Sequence, residues 1–451
     1  MTDRLGLLNA EQNKSPLRRL RDGYTTWVLF AGLTAFAVWA YYAATGLPSL
    51  LALIGVLSLG HLFLSHGSWK AFGVFAALTA AMLLLAVLRS DMVEAMARGA
   101  DIGTAYAASK RYFEAPIVIW FLAWAAMFAA RSQDEARAAR IFHWFVYVLL
   151  VLSVVQMIEA VSNFGLRQSL SNQFFHSRDR MLIVGFSNTN CALLMMFWPL
   201  AMVQAARHRP AIIIFAAIAV VAAGITSDTN AHLLAMFASV AVFYGVKYWP
   251  RALKAFKPER VLAVLTLVPM LAFPAIIYAL MKSGLAVKIK TDLLPSWAAR
   301  IDIWSYAVAR SLEKPIWGWG YEASRQFEPM IPNHPHDMAL QAWLELGIPG
   351  LLILAAFWFW LFWNLKVTGE MTDVPQETGL RALDEEVAPV STGNLSARFQ
   401  PYLLAQATMF LVISTISYGL WRSWFYCLGA FAVMAAVLAV RAATHSIKLR
   451  N

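Results

Sequence analysis

Apolar runs near 20 residues long recur along the whole chain, separated by shorter polar or charged stretches. A helix needs about 20 apolar residues to cross the hydrocarbon core of a bilayer. The runs therefore predict about twelve membrane-spanning helices. They lie near residues 26–46, 48–65, 69–88, 115–130, 141–161, 181–204, 211–226, 231–246, 261–281, 349–365, 401–420 and 424–441. A membrane barrel would show short segments of alternating hydrophobicity instead. The first run follows Arg18, Arg19 and Arg21 and is longer than the apolar region of a signal peptide. It reads as an uncleaved span. The expected fold is all-α, a polytopic membrane protein with one long outer loop that carries helices of its own.

The polar stretches divide the chain further. Residues 1–25 form a basic N-terminal segment, and 26–281 hold spans one to nine. The long loop runs over 282–348. Spans ten to twelve follow over 349–441, interrupted by a linker at 366–400, and 442–451 form a tail. The linker is rich in Glu, Asp, Thr and Pro and reads as flexible. An even number of spans puts both termini on one side. Lys and Arg are more abundant in the segments on the N-terminal side, which places the termini, the linker and the tail in the cytoplasm. The 282–348 loop is then periplasmic in a Gram-negative cell.

Composition agrees with a membrane protein: of 451 residues 60% are hydrophobic and 14% charged, with a mean hydropathy of +0.57. A soluble domain carries about 25% charge. The formal charge of +11 belongs to loops at the membrane and to no nucleic-acid reader motif. Cys191 and Cys427 both fall in predicted spans, so they offer no disulfide framework and no metal spacing. No cofactor is implied.

Several cations depart from the orientation pattern. Arg178, Arg180, Lys290, Arg300, Arg310 and Arg325 all lie on the outer side. Arginine offers a planar fork of donors that stays charged, which suits phosphate. A lipid-linked pyrophosphate carries its charge at that surface. The competing use of these residues is contact with lipid headgroups or pairing with Asp179 and Asp302. His336 has an imidazole able to accept a proton near neutral pH, as deprotonation of an attacking sugar hydroxyl requires. His334 is the alternative base. Helical periodicity begins after Asp337, which can cap that helix or raise the basicity of the histidine.

Gly347-Ile348-Pro349-Gly350 predicts a kink between a loop helix and span ten. Gly318-Trp319-Gly320-Tyr321 lacks the context of a phosphate loop and reads as a tight turn presenting aromatics. Trp304 and Tyr321, with their aromatic neighbours, can stack on sugars or anchor the interface. Asn188, Thr189 and Asn190 sit inside span six, where polar groups line a cavity or bond between helices. Asp228 is placed to cap span eight. No cluster has metal-ligand spacing, and no Asp-x-Asp motif of metal-dependent sugar-nucleotide transferases stands out.

His336-Asp337, nine residues, then Gly347-Ile348-Pro349-Gly350 resembles the His-polar-x9-GxxG signature of the bacterial O-antigen ligase family. Upstream, Arg300, Trp304 and the run KPIWGWGYEASRQF are similar to the Arg…Trp…P-x-x-G-x-G block of that family. Asp337 stands where the family usually has Asn, Ser or Gln. The resemblance implies a multi-pass enzyme of the inner membrane. Its donor would be an undecaprenyl-pyrophosphate-linked glycan and its acceptor the lipid A–core oligosaccharide. His336 and Arg300 would be catalytic. Arg178, Arg180, Arg310, Arg325, His334, Asp337, Trp304, Tyr321 and Asn188 are candidate substrate contacts, and membrane lipids surround the whole. A glycan polymerase using the same donor is the neighbouring alternative. A transporter or flippase would show charges deep in the spans and repeat symmetry, and neither is evident.

Overall fold

The computed structural model describes residues 16–42, 44–61, 69–90, 96–99, 101, 103–104, 120–170, 179–227, 230–253, 255–293, 295–365 and 392–450. Among them the chain is all helix and connection, with no strand. Helices α1 (Pro16–Tyr42), α2 (Leu47–Leu57), α3 (Trp69–Leu88), α4 (120–131) and α5 (Glu135–Val161) form the first half of the bundle. The short α6 (Gly165–Leu170) precedes α7 (Asp179–Ala206), α8 (Pro210–Thr226), α9 (Asn230–Lys247) and α10 (Pro258–Lys282). The long loop contributes α11 (Leu285–Asp292) and α12 (Pro295–Glu313). The chain closes with α13 (Met338–Asn364), α14 (Thr392–Ile416) and α15 (Ser423–Lys448).

Among the described residues, eight helices are long and apolar enough to cross a membrane, and three further apolar helices are shorter. The protein is an all-α, multi-pass membrane protein. Of the span predicted at 48–65, the described part holds the helix Leu47–Leu57 and residues 58–61, and 62–65 lie outside the described residues. Of the span predicted at 115–130, the described part begins at 120. Asp228 and linker residues 366–391 lie outside the described residues.

In lipid, helices associate through close packing and polar bonds rather than escape from water. Both are present. One core joins α1, α5, α7, α14 and α15 around Phe36, Phe142, Phe145 and Phe431. A second joins α3, α10, α13 and α14 around Trp358 and Phe362. Helix α7 is the hub, with 94% of its apolar window buried. Helix α10 widens at Val268–Ala272, where Pro269 has no N–H for the ladder.

Charges pin the two ends. At the N-terminal end of α5, Asp134 caps the helix by accepting from the Arg137 amide at 2.8 Å. The Arg137 side chain pairs with Asp22 of α1 at 3.0 Å. Arg441 of α15 donates to the Gln133 carbonyl at 2.6 Å. At the other end, the Tyr41 hydroxyl donates to buried Glu159. Arg167 of α6 donates to Thr189 of α7 at 2.8 Å and lies over the Tyr41 ring at 4.4 Å.

The kink expected at Gly347 is present. Gly347 has φ 68° and ψ −164° inside α13, which splits the element into a short first half and a spanning second half.

Candidate active site

The residues of interest gather at the end of the bundle opposite Asp22, Arg137 and Arg441. They come from the loop before α13 and from the α14–α15 turn. In Asn333-His334-Pro335-His336-Asp337, both Asn333 (φ 74°) and His336 (φ 56°) adopt the left-handed conformation. That conformation is uncommon for residues other than glycine. The coil folds the His336 amide back onto the His334 ring, where it donates to Nδ1 at 3.1 Å. The two rings lie 4.4 Å apart.

These contacts fix the tautomers. A nitrogen that accepts from an amide carries a lone pair, so the proton of His334 is on Nε2. His334 is buried, and burial pushes its pKa down to about 2, with positive charge at His336, Arg422 and Arg325 adding to the effect. His336 is half-buried, and its Nδ1 lies 2.9 Å from the Ser417 carbonyl. A carbonyl only accepts, so Nδ1 carries the proton and Nε2 keeps its lone pair. Nε2 has no hydrogen-bond partner among the described residues. Burial lowers the His336 pKa, the Ser417 bond raises it, and the charges of Arg300 and Arg422 lower it again. Of the two imidazoles, only His336 retains an unengaged basic nitrogen.

Asp337 turns inward. Its Oδ1 accepts from the Leu340 amide at 2.7 Å, which makes it the N-cap of α13. Burial raises its pKa to about 7. Its carboxylate is used on the helix end, and His336 is governed by other groups. Asparagine caps a helix as well as aspartate, whereas alanine forfeits about 1 kcal/mol. Asp337→Asn is therefore expected to retain near-wild-type thermal stability and transfer. Asp337→Ala is expected to lower the melting temperature, as read by a thermal shift in detergent.

Glu345, two turns into the first half of α13, was not singled out by the sequence reading. Its carboxylate is fully buried and accepts four hydrogen bonds. Oε1 accepts from Ser324 Oγ at 2.7 Å and Gln341 Nε2 at 2.9 Å. Oε2 accepts from the Glu322 amide at 2.9 Å and Trp421 Nε1 at 2.5 Å. Gln341 in turn accepts from the Leu420 amide at 2.7 Å. The carboxylate thus ties α13, the 322–324 turn and the α14–α15 turn together. Gly419 completes the join, because a Cβ there would stand 2.7 Å from His334 Cγ.

The glycine motifs work by close approach. Gly318 (φ 66°) and Gly320 (φ 114°) let the turn lie on α13. There the Trp319 and Gly320 amides donate to the Leu344 and Glu345 carbonyls at 2.8 and 2.9 Å. Arg89, at the end of α3, donates to the carbonyls of Trp317 and Gly318 at 3.1 and 3.2 Å. A Cβ on Gly347 would meet the Ile316 carbonyl oxygen at 2.0 Å. The aromatics of this turn do not all face outward. Tyr321 is buried against Trp421 at 4.6 Å. Trp304 packs with Ile277, Val308 and Leu340 in a small core.

Among the candidate cations the environments differ. Arg310 pairs with Glu313 at 2.7 Å, and Arg325 with Glu322 at 2.9 Å. Lys290 takes Asp302, which leaves Arg300 without it. Arg300 is half-buried, lies over the Trp297 ring at 4.9 Å, and has no carboxylate partner among the described residues. Burial lowers its pKa, while its charge acts on both His336 and His232. Arg178 and the side chain of Arg180 lie outside the described residues.

The polar block of α7 serves helix–helix bonding. Asn188 accepts from the Tyr418 hydroxyl at 3.3 Å. Asn190 donates to the Val220 carbonyl at 3.2 Å and lies 3.5 Å from Nδ1 of buried His232. Among the described residues no group of His, Cys, Asp or Glu is arranged to hold a metal ion.

Two residues at this end of the bundle were missed from sequence, Arg422 and Glu345. A charged residue inside the apolar run of α13 was the available signal for Glu345. Arg422, in a short turn between two spans, looks like any interfacial cation until the turn is seen folded onto the histidine loop.

The fold and these residues define a multi-pass membrane protein with an imidazole and an unpaired arginine at one face. Residues 174–355 match the family described as O-Antigen ligase. That segment is similar to the O-antigen ligase family and contains the His336–Gly350 motif up to and beyond its last glycine. A Rickettsia conorii protein named "Putative polysaccharide ligase" is 24% identical over 196 residues, 40% of this chain and 41% of that protein. A Rickettsia prowazekii protein of the same description is 26% identical over 161 residues, 33% of each chain. The chain thus spans about two fifths or less of the length of these curated relatives. No solved structure gives a significant match.

Proposed function

We propose that the protein is an O-antigen ligase of the inner membrane. It transfers a glycan from undecaprenyl pyrophosphate to the lipid A–core oligosaccharide at the periplasmic face. The observation that carries this reading is the pairing of a half-buried arginine lacking a carboxylate with an imidazole whose Nε2 is free. The acceptor hydroxyl oxygen attacks the anomeric carbon, and its proton passes to His336 Nε2. The bond from that carbon to the phosphate oxygen breaks, with its electrons leaving on the pyrophosphate. Arg300, and Arg178 or Arg180, neutralise the charge that develops. Configuration inverts, and no metal takes part in the steps assigned to these side chains.

Purified protein mixed with lipid-pyrophosphate glycan and lipid A–core in EDTA is expected to build a glycan ladder on lipid A–core. Lengthening of the glycan on its lipid carrier alone would instead identify a polymerase. Arg300→Ala removes one electrostatic contact to the leaving group, a loss of about 3–4 kcal/mol in the transition state. Turnover is expected to fall roughly 10²–10³-fold, with Arg300→Lys recovering part of it. Unchanged turnover in Arg300→Ala would remove Arg300 from the reaction.

A further inference from the structure

The α14–α15 turn lies outside the segment that matches the ligase family, yet it builds one wall of the histidine loop. Ser417 holds the His336 ring. Gly419 packs on His334, Leu420 donates to Gln341, and Trp421 donates to Glu345. The next residue is Arg422. Its guanidinium is half-buried and forms no hydrogen bond or ion pair among the described residues. Glu322, whose charge reaches Arg422, is engaged by Arg325 at 2.9 Å.

The two unpaired arginines come from different elements, Arg300 from α12 and Arg422 from the α14–α15 turn. The charge of Arg300 is felt by His336 and His232. The charge of Arg422 is felt by His336 and His334. Both charges therefore reach His336. A displacement with inversion needs the base and the leaving group on opposite faces of the anomeric carbon. Arg422 belongs to the base's side, since its own turn holds the His336 ring. A cation on the base's side meets the acceptor, whose hydroxyl must reach Nε2. Half-burying a guanidinium without a counter-charge is costly, so this position calls for an anion supplied by a ligand.

We propose that Arg422 forms an acceptor subsite that binds an acidic group, phosphate or carboxylate, on the acceptor glycan near its nucleophilic hydroxyl. This rests on the ligase reading above. It adds that the acceptor is recognised by charge, separately from the donor pyrophosphate.

Full-length protein in proteoliposomes tests it with lipid A–core in three forms: intact, dephosphorylated, and with its carboxylates amidated. With intact acceptor, Arg422→Gln is expected to raise the acceptor KM roughly tenfold, the scale of one lost charge-assisted hydrogen bond. The donor KM stays as in wild type, and Arg422→Lys recovers most of the loss. Wild type and Arg422→Gln converge on the treated acceptor that has lost the bound group, which tells phosphate from carboxylate. Removing a cation beside His336 also moves the acid limb of the pH profile to higher pH, which a merely loosened turn does not do. A raised donor KM, or an equal loss on all three acceptors, overturns the subsite while leaving the ligase reading intact. No product from wild-type protein with intact acceptor overturns both.

Discussion

Replacing His336 with alanine is expected to lower glycan transfer by on the order of 10²–10⁴, the range supplied by a positioned general base. The protein should remain folded in the membrane, because the ring makes one hydrogen bond to Ser417 and caps no helix. The loss falls on turnover and leaves the donor KM near its wild-type value, since the base acts on the acceptor proton. His334→Ala offers the contrast. Its ring positions the His336 amide and has no free lone pair, so its defect should appear as loosened geometry and a smaller loss. Equal activity of His336→Ala and wild type in the reconstituted assay would end the base assignment. The pH profile carries the same information. The base acts only when deprotonated, and burial holds the His336 pKa below the ordinary imidazole value of about 6.5. Activity should therefore be level through neutral pH and fall only on the acid side of that value. A limb centred above it would point to another group.

Glu345→Ala is expected to cost more than any other single change at this end of the bundle. It would leave four donors, from Ser324, Gln341, Glu322 and Trp421, without their acceptor in a buried site. Each buried unsatisfied group costs about 1–3 kcal/mol. Glu345→Gln should also fail, because one end of its amide is a donor facing donors. Both variants should show a large drop in detergent melting temperature and loss of transfer, with the His336 loop made accessible to protease. A Glu345→Gln protein with wild-type stability would mean that the carboxylate is not the anchor of these three segments. The contrast with His336→Ala separates a residue that does chemistry from one that holds the chemistry in place.

The sequence alone determined the membrane class and the helical frame. Runs near 20 apolar residues leave few structures open, because lipid satisfies no backbone group and each span must bond internally. It also located the kink, since the left-handed preference of Gly347 and the ring of Pro349 are local properties. The His336–Gly350 motif named the family segment, and Asp337 was legible as a cap from its place before an apolar period. What was not legible depends on residues far apart in the chain. The choice between His334 and His336 rests on Ser417, 81 positions away. Whether Arg300, Arg310 or Arg325 is free rests on where Asp302, Glu313 and Glu322 fall. Trp304 and Tyr321 are as aromatic as any sugar platform, and only packing shows them buried. Arg422 joins the site solely because its turn folds back onto the loop before α13. Local preferences are written in neighbouring residues. Which lone pair stays free, and which charge goes unpaired, is decided by partners that only the folded chain brings within hydrogen-bond reach.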